Sequence, residues 1–118
     1  MYICQVFISH YKTNKVVFTI TIIVITPIIE EVIYKYVLFK NANFMKEKPN
    51  CKLITCSTIF AVMHILNEII LLQPIAIIDF INYFVFGITT TLVYKKTDNI
   101  LYSLAIHMLC NGVELYLL

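Results

Sequence analysis

Glu30 and Glu31 stand side by side in PIIEEVIYKY, residues 27–36, within the most apolar part of the chain. Further polar groups punctuate the other apolar runs: His64 with Asn67 and Glu68, Asp79 with Asn82, and His107 with Asn111 and Glu114. A carboxylate and two imidazoles in a low-dielectric pocket are the materials of hydrolysis. The carboxylate takes a proton from water, and a neighbouring imidazole helps to hold that water. A second imidazole and an amide can donate to the developing oxyanion, where each donor is often worth ~3–4 kcal/mol. No Gly-flanked Ser elbow is present, so attack by water is favoured over a covalent intermediate.

Helical spacing divides the work between these groups. Glu31 and Lys35 are i,i+4 in the favourable order, which predicts a pair on one face. Glu30 is turned about 100° away, toward the face of Tyr34, and is left free for chemistry. His107 and Asn111 are again i,i+4 and project toward a common point, with Glu114 one turn further on. Phe60 lies one turn before His64. Taken singly, a histidine in such a run is an interhelical hydrogen-bond donor, and Asn67, Glu68, Asp79 and Asn82 read as packing glue. Tyr83, Phe84, Phe86 and Tyr94 read as lipid-facing or core groups and interface anchors.

The elements that must carry these residues are membrane spans. The chain has 118 residues, 60% of them hydrophobic and only 14% charged, with a mean hydropathy of +0.84. A soluble domain is nearer ~45–50% apolar and ~25% charged. Four runs approach the ~20 residues of a spanning helix: Val16–Phe39, Leu53–Gln73, Ile75–Tyr94 and Asn99–Leu118. Because an open strand in lipid leaves its backbone unpaired, the expectation is an all-α, polytopic, multi-pass integral membrane bundle of about four transmembrane helices. Residues 1–15 read as an amino-terminal interfacial arm and 16–118 as one core. The order of Lys12 and Lys15 before an apolar run is leader-like, but no small-residue cleavage site follows, so the segment is expected to be retained. Pro27 either starts a helix after a break or kinks a continuous one.

All nine cations are lysines and, Lys35 apart, they cluster between the runs as loop charge, which does not suit nucleic acid binding. The positive-inside tendency puts the loops around Lys40–Lys52 and Lys95–Lys96 in the cytoplasm and both termini outside. The four cysteines form no CxxC pair and read as small buried hydrophobes. Depth then brings the polar groups together. Glu30 is 10 residues from Lys40, His64 is 12 from Lys52, and His107 is 11 from Lys96. At ~1.5 Å per residue all three lie ~15–18 Å in, near the middle of a ~30 Å core.

Glu30-Glu31-xxx-Lys35, Phe60-xxx-His64 and His107-xxx-Asn111 closely resemble EExxxR, FxxxH and HxxxN. These are the three motifs of the CAAX protease and bacteriocin-processing (CPBP, or Abi) family of intramembrane metalloproteases. The resemblance spans residues 25–118, and three motifs in order on separate spans are far more specific than any one. It implies an all-helical membrane endopeptidase that in some members removes the C-terminal tripeptide of prenylated CAAX proteins. The partners implied are the lipid bilayer and a membrane-associated peptide or prenylated protein. By that likeness Glu30 activates water with His64, while His107 and Asn111 hold the oxyanion and Glu31, Lys35 and Phe60 support them. Glu30, His64 and His107 also suit Zn²⁺, and spacing across spans does not choose between a metal and a metal-free glutamate mechanism. Lys35 stands where the family has Arg, so the charge is kept but the forked clamp is lost. Only the catalytic core is covered, which makes a second copy of the chain a candidate for completing the pocket. The rivals are a silent relative acting as a membrane interaction or immunity protein, and a small carrier whose carboxylates relay protons.

Overall fold

Pro27 lies in the middle of the first apolar run, and the chain crosses it without breaking. The computed structural model describes residues 14–117, and in it this run is one helix, α1, Lys15–Asn41. The Asn14 side chain accepts from the Val17 N–H at its start. Proline has no N–H, and its ring strikes the carbonyl four residues back in an α-helix. The turn before it widens accordingly: Thr21–Ile25 is π-helical, followed by the α-helical segment Thr26–Glu31 and a second π segment, Val32–Asn41. The expected arm at residues 1–15 lies outside the described residues as far as Thr13, and Lys15 opens α1.

Three further helices follow: α2, Pro49–Ile70; α3, Ile77–Thr97; and α4, Ile100–Leu117. All four are long and apolar enough to cross a membrane, and no strand occurs among the described residues. Several ends differ from the sequence expectation: α2 stops at Ile70 rather than Gln73 and α3 starts at Ile77 rather than Ile75. α2 begins at Pro49 rather than Leu53, because proline at the first helical position needs no hydrogen-bond partner. α3 runs on through Lys95 and Lys96, whose charges suit the negative end of a helix dipole.

Each junction has its own stop signal. α2 ends with Leu72 in the left-handed region (φ 53°), Leu72 N–H on the Ile69 carbonyl and Gln73 N–H on that of Glu68, which satisfies the last carbonyls of the helix. The Asp79 carboxylate accepts from the Ala76 N–H at 2.8 Å and caps α3. Left-handed Asp98 ends α3, and the Asn99 side chain accepts from the Leu101 N–H at 2.9 Å to start α4. These connections are too short to recross a bilayer, so successive helices run up and down. α2 packs on α3, α3 on α4, and α1 closes the ring between α4 and α2.

The bundle is polar inside and aliphatic outside. Glu31, Lys35, Ser57, His64, Glu68, Thr90, Thr91, Ser103, His107 and Asn111 are buried, whereas most of the large aliphatic side chains of the spans face outward. Hydroxyls that remain satisfy themselves: Thr21, Thr58 and Thr89 donate to the carbonyl one turn back at 2.8–2.9 Å. The lysines are not all loop charge. Buried Lys52 donates to the Ala42 carbonyl at 2.6 Å and lies 5.1 Å from the Phe44 ring, tethering the α1–α2 loop. Lys40 pairs with Asp98 at 2.8 Å, joining the two lysine-rich connections. Of the cysteines described, Cys56 is buried and Cys110 half-buried as expected, but Cys51 is exposed.

α2 and α3 approach closely at Gly87, where a Cβ would stand 3.3 Å from the backbone Cα of Ser57 and 3.4 Å from the Phe60 ring. Gly87→Leu is expected to force these helices apart and destabilise the protein by about 1–3 kcal/mol, measured as a fall in melting temperature in detergent; an unchanged melting point counts against this contact. In a background with the native cysteines replaced by serine, Lys46→Cys and Lys96→Cys should react with an impermeant maleimide from the same side of sealed vesicles. Labelling from opposite sides is incompatible with the up-and-down order.

Candidate active site

The α-helical turn after Pro27 carries Glu30 and Glu31 into the bundle on adjacent faces. Glu31 is only 1% exposed, and its Oε1 takes two partners: Lys35 Nζ at 3.4 Å and His107 Nδ1 at 3.0 Å. The Lys35 pair is the one expected from i,i+4 spacing. The His107 contact joins α1 to α4 and has no counterpart in that spacing. Glu30, 19% exposed, faces both imidazoles, with Oε1 3.5 Å from His64 Nε2 and Oε2 3.3 Å from His107 Nε2. Residues on three separate helices, expected at one depth, thus come within contact distance.

Hydrogen bonds orient both rings. His64 Nδ1 lies 2.9 Å from the Phe60 carbonyl, which can only accept, so Nδ1 carries the hydrogen and a neutral His64 turns the lone pair of Nε2 toward Glu30. Phe60 and Tyr83 hold the His64 ring between them, with centroids 4.2 and 4.6 Å away. The edge of Phe86 packs against His107 at 4.9 Å. Phe60 also takes the Lys35 ammonium 5.2 Å from its ring centre and Tyr34 edge-on at 5.0 Å. One aromatic side chain thereby supports the Glu31–Lys35 pair and His64 together.

Asn111 reaches the same region, but its amide nitrogen donates to the Ile22 carbonyl at 3.0 Å. One of its two N–H groups is therefore taken by backbone, leaving the other and the amide oxygen. A cavity of about 470 Å³ opens beside Glu30, His64, His107 and Asn111, and Tyr83, Phe86, Asp79, Asn82 and Glu114 also line it. Sequence reasoning placed Tyr83 and Phe86 in lipid, core or interface. The helical stripe Asp79, Tyr83, Phe86, Thr90 was the signal that puts them on one inward face. Glu68, read as glue, is buried and accepts from the Tyr83 hydroxyl at 2.6 Å, while Asn67 faces outward.

The fit to a metal can be judged from the donors themselves. Among the described residues no group of three or more His, Cys, Asp or Glu side chains gathers around a point that could hold a metal ion. Each imidazole Nε2 is within ion-pair distance of the Glu30 carboxylate itself.

No curated protein and no solved structure matches the chain. A family model does: that of the type II CAAX prenyl endopeptidase Rce1-like proteins matches residues 12–113. With the motifs, the four spans and a polar cavity between them in view, the chain belongs to this Rce1-like family of CAAX prenyl endopeptidases, within the CPBP/Abi group, and is a multi-pass integral membrane protein.

Proposed function

We propose that the protein is an intramembrane endopeptidase whose attacking water is activated by Glu30. The observation that carries this reading is a carboxylate held between the Nε2 atoms of two histidines at 3.3 and 3.5 Å beside a cavity. Water held by Glu30 Oε1 and the lone pair of His64 Nε2 attacks the scissile carbonyl as Glu30 takes its proton. The C–O bond forms and the carbonyl electrons move to oxygen. His107, donating from Nδ1 to Glu31 and, as imidazolium, from Nε2 to the oxyanion, stabilises that charge, together with the remaining N–H of Asn111. Glu30 then returns the proton to the departing amine as the C–N bond breaks. Glu31, Lys35 and Phe60 act through His107 and His64. No step is routed through Zn²⁺: the reading rests on each imidazole Nε2 facing the Glu30 carboxylate directly.

The cavity also bears on the substrate. Its charged lining comprises Glu30, Asp79 and Glu114 beside the two histidines, with no lysine among the described residues that line it. Glu114 lies seven residues beyond His107 on α4 and Asp79 four before Tyr83 on α3, or roughly 10 and 6 Å along their helices. An extended tripeptide spans ~10 Å, so the free carboxylate of a C-terminal tripeptide meets like charge there. An internal bond of a membrane-embedded peptide avoids that repulsion.

Glu30→Gln is expected to lower peptide hydrolysis by about 10²–10⁴-fold in proteoliposomes at unchanged helix content. If wild type and Glu30→Gln are equally inert on a broad panel of prenylated and membrane-embedded peptides, a silent membrane interaction or immunity protein replaces this reading. 1,10-Phenanthroline should leave the rate unchanged, and elemental analysis of the purified protein should give well under one zinc per chain. Stoichiometric zinc whose removal abolishes turnover would restore the metal mechanism. A peptide with an amidated C-terminus three residues from the scissile bond should be cut faster than its free acid; the reverse order removes the argument from the acidic lining.

A further inference from the structure

Thr26 donates its backbone N–H to the Thr21 carbonyl, five residues back. In a regular α-helix that N–H belongs to the Ile22 carbonyl, four residues back. In the π register the donor for Ile22 is residue 27, and residue 27 is proline, which has none. The Ile22 carbonyl is therefore denied both the donor of the α register and the donor of the π register. Asn111 Nδ2, from α4, donates to this carbonyl at 3.0 Å, across 89 positions of sequence.

We propose that Asn111 is a positioning residue that completes the backbone of α1 at the Pro27 break, and so sets the turn bearing Glu30 and Glu31 against His107. The two ends of the bond make this specific. Three residues beyond Pro27 stands Glu30, and one helical turn before Asn111 stands His107, which contacts both glutamates. A bond from residue 111 to residue 22 therefore ties α1 to α4 immediately beside the carboxylate–imidazole contacts. It uses one amide N–H and leaves the second for the oxyanion. The catalytic part of this role rests on the endopeptidase reading, whereas the backbone part does not.

The test is a double-mutant cycle. Asn111→Leu keeps the side-chain size and removes the donor. Pro27→Ala restores a donor to α1, since Ile22 is then served either by the residue 27 N–H in the π register or by Thr26 if the segment relaxes to α. Asn111→Leu should lower the melting temperature in detergent by several degrees in the native background, and by less than half as much in the Pro27→Ala background. An equal loss in both backgrounds, or a loss confined to kcat, overturns the proposal and leaves Asn111 as an oxyanion donor alone. If Asn111→Leu alone does not accumulate as folded protein, recovery with Pro27→Ala supports the proposal and failure to recover overturns it. Hydrolysis followed in the same four proteins separates the two readings: absence of turnover in every one fails the endopeptidase assignment while the melting comparison still decides the bond.

Discussion

The arrangement depends on a carboxylate that has to be satisfied where no water reaches it. Glu31 is 1% exposed in a chain whose exterior is aliphatic, and a buried ion left without its partner costs roughly 3–5 kcal/mol. Lys35 on the same helix supplies charge and His107 on the last helix supplies a donor, both to Oε1. Partnering this one oxygen therefore joins the first and last spans, and it turns the other edge of the His107 ring toward Glu30. The chemistry attributed to Glu30 is downstream of its neighbour's need for partners.

Much of this was legible because a helix has one rise and one repeat. Similar distances from the lysines place Glu30, His64 and His107 at one level, and four-residue spacing pairs Glu31 with Lys35. What spacing cannot carry is the mutual rotation of helices. The Glu31–His107 contact, which arises from that rotation, was accordingly missed. Asn111 was legible as a polar group on the face of His107, but its bond to Ile22 depends on a backbone register that appears only once Pro27 has widened the preceding turn. Tyr83 and Phe86 were assigned by residue type alone, and an aromatic ring suits lipid, interface and pocket wall equally well.

Aromatic packing explains how two imidazoles keep their orientation without charged neighbours on every side. His64 has one hydrogen bond to its own helix, at 2.9 Å, meets Glu30 at 3.5 Å, and is flanked by the rings of Phe60 and Tyr83. Tyr83 is in turn anchored through its hydroxyl to buried Glu68. A ring clamped in this way keeps its free nitrogen directed at Glu30, since dispersion contacts do not depend on the charge beside them.

The distribution of the side chains has a consequence for how this sequence can vary. Ile25, Ile28, Ile29, Val32 and Ile33 share one helix with the acidic pair yet point outward, where acyl chains accept isoleucine, valine or leucine without distinction. Drift among aliphatic residues can therefore be rapid on the outer skin, while a single insertion between Pro27 and Glu30 would rotate the acids out of alignment with both imidazoles. Relatives of this chain should differ most in the residues that make it hydrophobic and least in the few that make it polar, the inverse of the pattern familiar from water-soluble enzymes.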